Sequence, residues 1–253
     1  MVSEYERVLA EGEYRIVPKT ALRLRGKVKE LLTGITTNDL NKNKNAFLDR
    51  FGKLIALADQ QIKEDESYLA IESRYETELL NHLQTYQKFT GTKIEKVPET
   101  VMHIIGKEKP TDGIIFPQNI GYLAFKHPSG SMEMSEETHT TLRLENNIPV
   151  QGIDFDHQMF LDLGMENAIS FTKGCYLGQE VIARAKRVGP MRKLVRILYS
   201  AIPERATING EEVGKITSKC FSPRYGKFLV FAIIRNHKQK VDDGEVICAN
   251  NPK

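Results

Sequence analysis

The strongest constraint on the fold lies beyond Pro190. There MRKLVRILYSA, EEVGKITS, GKFLVFAII and GEVICA follow one another as short apolar runs separated by Gly, Pro and Asn. Several short strands with turn residues between them, over about 60 residues, predict a small β-barrel or sandwich. The preceding region alternates strand and helix patterns without a sequence repeat. ALRLRG (21–26) reads as a half-buried strand, and VKELLTGI as a short helix closing at Gly34 with turn chemistry in TTNDL. AFLDRFGKLIALADQQI (46–62) predicts two strands around a turn at Gly52, and SYLAIE another strand. Apolar positions 79, 80, 83 and 86 mark a helix over 74–89, whereas TKIEKV, VMHIIG, IIFP and IGYLAF return to strand patterns. KEKPTDG reads as a loop, and SEETHTTLRLENN as a helix opened by Ser135 with Glu136 and Glu137 in its first turn. The expected class is α+β, with a mixed region over 1–188 and an all-β domain over 189–253.

Composition excludes several functions. The chain has 253 residues with 36 basic and 33 acidic side chains, a net charge of +3, too balanced for a nucleic-acid binder defined by charge. No apolar run approaches the roughly 18 residues of a membrane span. The acidic start MVSEYERVLAEGEY lacks an apolar targeting core, so a cytoplasmic location is expected.

The three cysteines, 175, 220 and 248, form no CxxC pair. A disulfide framework or an all-cysteine metal site is therefore not expected, and Cys220 and Cys248 read as small apolar residues in strands. Cys175 is different. It sits in FTKGCYLGQEVIARAKR (171–187), after Lys173 and Gly174 and before a basic amphipathic helix. If that helix starts near Tyr176, its dipole and Lys173 favour a thiolate at Cys175. Alternatively, the cysteine packs in a crowded turn whose glycines, Gly174 and Gly178, serve geometry alone. No histidine lies close in sequence, the nearest being His157, so a Cys-His hydrolase is a poor fit. Between Phe171 and Lys193 six basic residues face Glu180 alone, a pattern suited to a polyanion, an acidic partner or simply a solvated helix end.

KGCYLGQE resembles the K-G-C-[FY]-x-G-Q-E signature of the folate-binding YgfZ family, relatives of the glycine-cleavage T-protein (aminomethyltransferase). LRLRGKVKELLTGITTNDL, TLRLENNIPVQGIDFD and EEVGKITSKCFSPRYGKFLVFAIIR are similar to further blocks of that family, so the resemblance runs from about residue 15 to 247. It implies intertwined ferredoxin-like subdomains around a central opening that admits tetrahydrofolate, followed by a small C-terminal β-barrel. It also implies folate contacts from Arg143, Glu145, Asn38 and Asp39, with Arg143 holding the anionic tail; the alternative for Arg143 is a structural ion pair with Glu145 or another carboxylate. The motif residues Lys173, Gly174, Tyr176, Gly178, Gln179, Glu180 and Arg184 would surround a functional thiol at Cys175.

One departure bears on chemistry. Where aminomethyltransferases carry an acidic pair, this chain has Ala56 and Leu57, with Asp59 further along, so the carboxylate expected at the reacting nitrogen is missing. The resemblance then implies a folate-binding accessory in the assembly or repair of iron–sulfur proteins, including tRNA-modifying enzymes. Cys175 would be either one ligand of a transient cluster shared with an assembly factor or client, or a thiolate that attacks a thiol adduct, with no stable metal site, membrane contact or direct nucleic-acid contact. The alternatives are a one-carbon (aminomethyl) transferase of altered specificity and an RNA-binding module built on residues 184–193.

Overall fold

The computed structural model describes residues 2–106, 113–127, 129–235 and 241–247. The KEKPTDG loop expectation falls almost wholly outside these residues, as does Cys248. The chain opens with α1 (Glu4–Glu11), where Ser3 and Glu6 form a reciprocal capping box, followed by β1 (Glu13–Ile16). The sequence reading assigned neither. Next come β2 (Lys19–Arg25), α2 (Val28–Ile35), β3 (Lys44–Leu48), β4 (Leu54–Lys63), β5 (Glu66–Glu72), α3 (Glu76–Thr90) and β6 (Lys93–Val97). They build an antiparallel sheet of order β3-β4-β5-β2-β6. Gly34 lies inside the last turn of α2 rather than closing it, and the cap falls at Thr36.

A second sheet, β1-β7-β9-β8, adds β7 (Met102–Ile105), β8 (Phe116–Pro117) and β9 (Tyr122–Ala124) to β1. After it come α4 (Glu136–Glu145), capped by Ser135 accepting from the Thr138 N–H, and α5 (Gln179–Val188). The expected all-β segment is a five-stranded antiparallel sheet. Its strands are β10 (Arg192–Tyr199), β11 (Ala206–Ile208), β12 (Glu211–Ser222), β13 (Lys227–Arg235) and β14 (Gly244–Ile247), in the order β11-β12-β13-β10-β14. The Asp242 N–H donates to the Thr207 carbonyl at 2.7 Å, and Asp242 accepts from the Asn209 and Gly210 N–H groups. Those contacts draw the two sheet edges together and curl the sheet.

Period-two alternation decides what each strand of this last sheet buries. Val195, Ile197 and Tyr199 pack with Val230 and Ala232 on one face. Leu194 and Leu198 turn the other way, joining Leu229 and Phe231 in a core shared with Leu48, Leu54, Phe160 and Ile182. Arg196, on that second face, is buried and donates to the Leu144 (3.1 Å) and Glu145 (2.6 Å) carbonyls. It thus places a cation at the C-terminus of α4, where the helix dipole favours it. On the first sheet, Leu22, Leu24, Phe47 and Leu69 pack against α2 and α3 through Leu31, Leu32, Leu79 and Leu83. That leaves the opposite face of the sheet to look inward.

Candidate functional site

The three sheets enclose a central cavity of about 550 Å³. That volume lies within the range of roughly 300–1,000 Å³ typical of small-molecule sites. The first sheet contributes Lys19, Lys44, Leu57, Asp59 and Glu72, the second Ile16, His103 and Leu123, and the third Ser218 and Lys219. Helix α4 presents Glu136, His139, Thr140 and Arg143, spaced three, four and seven residues apart as one helical face requires. Ile148, Val150 and Ile153 add apolar wall.

Positions 56 and 57 carry no acid, but Asp59 brings a carboxylate to the cavity wall. Ala56 is fully buried in the core between the first sheet and its helices, while Leu57 and Asp59 share the cavity face. A two-residue step along β4 therefore brings an acid into the cavity even though 56 and 57 carry none. Lys44 pairs with Asp59 at 2.7 Å, Lys19 lies at 3.4 Å and Gln118 Nε2 donates to it at 2.8 Å. Burial alone would raise this carboxyl, but the Lys44 and Lys19 charges outweigh it and bring it down to about 2. Lys19 also pairs with Glu72 at 2.6 Å, and although burial opposes its charge, these two carboxylates raise its affinity for a proton.

Arg143 lines the cavity and is held in an ion pair, the carboxylate being that of Asp154 and not of Glu145. Nη1 contacts Asp154 Oδ2 at 2.6 Å and Nη2 donates to Ser218 Oγ at 2.6 Å. Asp154, with no exposed surface, also accepts from the Val150 N–H (2.8 Å), Thr217 Oγ1 (3.2 Å) and Ser218 Oγ. The network ties α4 and the 148–154 loop to β12, fixing one wall of the cavity. Glu145 faces away from it, accepting from Tyr5 Oη at 2.6 Å and from Ser222 Oγ.

Asn38 and Asp39 are not among the cavity-lining residues. Asn38 is a buried clamp whose side chain donates to the Lys44 (3.1 Å) and Asn167 (2.9 Å) carbonyls, while its N–H donates to Asn45 Oδ1 (2.6 Å). Lys173 locks onto the same loop, donating from Nζ to the Thr36 (2.6 Å) and Asn38 (3.0 Å) carbonyls. Burial, offset in part by Asp39, pushes this amine down to about 8. Its ammonium is engaged by carbonyls of the loop and lies 5.4 Å from the ring centre of Tyr176, whose phenol burial pushes up to about 12.

Cys175 is an exposed free thiol outside the cavity lining. Helix α5 begins at Gln179 with Gly178 as its N-cap, so Cys175 precedes the helix instead of sitting at its end. Gly174 has no positive φ and faces open space, so it is not the glycine the turn requires. Gly178 is. It has φ +84°, and a Cβ there would meet the Asp49 carbonyl oxygen at 2.8 Å. Gly178→Ala is expected to cost about 2 kcal/mol or more, combining a left-handed backbone with a backbone clash, as read from the urea midpoint. Gln179 is half-buried; Glu180 and Arg184 are exposed on α5. Lys186 stacks over Phe171 at 3.2 Å, whereas among the described residues no carboxylate pairs with Arg184, Arg187, Arg192 or Lys193. Cys220 is half-buried on β12, and burial pushes its thiol up to about 11.

The cavity also contains two histidines with no recognisable spacing in the sequence. His103 Nδ1 lies 2.9 Å from His139 Nε2, and His103 Nε2 lies 2.8 Å from the Ile120 carbonyl oxygen. Burial pushes His103 down to about 4 and His139 to about 3. No group of three His, Cys, Asp or Glu side chains that could hold a metal ion occurs among the described residues. No described helix is long and apolar enough to cross a membrane.

These features define an α+β protein with the fold of the glycine-cleavage T-protein, built around a cavity of mixed charge. The glycine cleavage system aminomethyltransferase T from Bartonella henselae superposes with a TM-score of 0.81, covering 98% of this chain and 85% of that one at 12% identity. In sequence, the chain is 34% identical over 101 residues to an aminomethyltransferase of Symbiobacterium thermophilum, 37% of this chain and 27% of that protein. An aminomethyltransferase of Halothermothrix orenii is 22% identical over 237 residues, 78% of this chain and 66% of that protein. The first of these matches thus spans under a third of the relative's own length. No family model matches the chain.

Proposed function

We propose that the protein binds a tetrahydrofolate in its central cavity and serves in the cytoplasm as a folate-dependent accessory in the assembly or repair of iron–sulfur proteins, tRNA-modifying enzymes among them. The observation that carries the folate part is the cavity itself: a drug-sized space that combines apolar wall with fixed polar groups of both charges, within the T-protein fold. The residues suit such a ligand. Leu57, Leu123 and Ile148 offer apolar surface to a flat heterocycle, while Lys219, which is exposed and lines the cavity, offers charge to a carboxylate tail.

The accessory part rests on Cys175 and on the KGCYLGQE resemblance. An exposed thiol outside the cavity is available to a partner while the ligand occupies the cavity. One cysteine cannot hold a cluster, so an iron–sulfur group would be cargo shared with that partner. Aminomethyl transfer is the second reading, and Asp59 is the observation in its favour. A carboxylate already neutralised by two lysines and titrating near 2 is a weak base for proton removal from an amine, which favours binding over turnover.

Calorimetric titration of the full chain with tetrahydrofolate is expected to give one site per chain. Cys175→Ser is expected to leave that affinity and the thermal midpoint unchanged while lowering the activity of iron–sulfur enzymes in the host strain. Full enzyme activity in the Cys175→Ser strain would remove the thiol role. Release of one-carbon product from an aminomethyl-folate donor would favour the transferase.

A further inference from the structure

His103 and His139 come from different elements, β7 and α4, and meet in the cavity wall. Their rings stand nearly perpendicular, at 85°, with centroids 5.1 Å apart. A carbonyl oxygen only accepts a hydrogen bond, so the contact to Ile120 places the proton of His103 on Nε2. A neutral His103 then has a lone pair on Nδ1, and the contact with His139 Nε2 requires His139 to donate. In a neutral His139, the remaining nitrogen, Nδ1, is left as an acceptor. Among the described residues no hydrogen-bond partner is found for that atom.

The surroundings maintain this arrangement. His103 is 3% exposed, which opposes a positive charge on the ring. Arg143 and Arg15 act on His139 with the same sign, resisting its protonation. Lys19 and Lys44 act likewise on His103, against the single opposing charge of Asp59. The pair is therefore a relay running from a backbone carbonyl to a ring nitrogen of a cavity-lining side chain, with its direction set by the fold.

We propose that the Ile120–His103–His139 relay fixes His139 Nδ1 as a hydrogen-bond acceptor in the cavity wall, selecting a ligand that offers an N–H donor, as a ring N–H or amino group of a nitrogen heterocycle does. This deepens the folate reading and rests on it for the choice of probe. His139 contacts the ligand, and His103 is a positioning residue that acts through it. Neutral hydrogen bonds add about 0.5–1.5 kcal/mol, so the effect on affinity is up to roughly tenfold. Selectivity comes from the cost of opposing an acceptor on the ligand to an acceptor on the wall.

Three variants separate ligand reading from mere packing. His139→Phe keeps a ring and removes the acceptor. His103→Leu removes the relay but leaves His139 in place. His103→Gln restores it, because one amide can donate to Ile120 and accept from His139. Titration with tetrahydrofolate is expected to give about tenfold weaker binding for His139→Phe, several-fold weaker binding for His103→Leu, and near wild-type binding for His103→Gln.

Nitrogen-15 spectra of histidine-labelled full-length protein supply the second readout. They should show His139 protonated on Nε2 and bare on Nδ1, with the Nδ1 resonance moving when tetrahydrofolate is added. A His139 protonated on Nδ1 overturns the relay whatever the ligand does. Tetrahydrofolate binding with equal affinity in His139→Phe, or with no Nδ1 movement, overturns the selection role and leaves the folate reading intact. Absence of tetrahydrofolate binding to the wild-type chain overturns the folate reading and, with it, the ligand-reading role of His139.

Discussion

Asp154→Ala is expected to destabilise the protein by about 3–5 kcal/mol, because removing one partner of a buried ion pair leaves an uncompensated charge. The partner left behind is the Arg143 guanidinium, itself 5% exposed. The same substitution orphans the Val150 N–H and deprives Ser218 of its acceptor, while Thr217 keeps the Phe231 carbonyl as its alternative. Urea denaturation should show the loss as a lower midpoint. Asp154→Asn, which retains acceptor capacity but not charge, should lose less. Replacing both partners by apolar residues of similar volume, as in Arg143→Met with Asp154→Leu, should recover much of the stability. A single Asp154→Ala within 1 kcal/mol of wild type, on the order of a surface substitution, would mean that the network adds little. Because Arg143 and Ser218 line the cavity, ligand affinity is expected to fall in Asp154→Ala even where the protein remains folded.

Stability should also fall as the solution is acidified below about pH 6.5, well before carboxylates protonate. His103 titrates near 6.5 when unfolded and near 4 when folded. Between these values the unfolded chain takes up a proton that the native state refuses, so acidification favours unfolding. The loss is complete near pH 4 and amounts to about 3 kcal/mol at roughly 1.4 kcal/mol per unit. His139 shifts in the same direction and adds to it. Asp59 acts in a lower window: its depressed pKa adds stability that is present above 3.8 and lost as the pH falls towards about 2. Urea midpoints at about pH 7, 5.5 and 4.5 should therefore decline in the wild type and less steeply in His103→Gln, which retains the His139 share. Equal slopes for the two proteins would show that His103 is not a source.

Much of the local structure was legible because it depends on short-range periodicity. The hairpin around Gly52, helix α3 and the strands after Pro190 follow from residue spacing and turn chemistry alone. Helix α1 was legible too, since Ser3 and Glu6 carry a capping-box signature, but the acidic segment was read only for targeting. Arg143 was recognisable as a cavity residue through the LRLE block. Its true partner was not, because Asp154 lies in a loop whose path is set by β12.

By itself the sequence determined the α+β class, the strand and helix periods and the KGCYLGQE turn, all consequences of side-chain spacing within one element. Tertiary structure alone decided what the cavity contains. It put Asp59 between Lys19 and Lys44, brought His103 to His139 across 36 residues of chain, and left Cys175 outside. Periodicity says which face of an element is apolar, whereas the choice of facing element is a long-range packing result. For that reason the exposed thiol was visible in the sequence, and the charged, histidine-lined cavity was not.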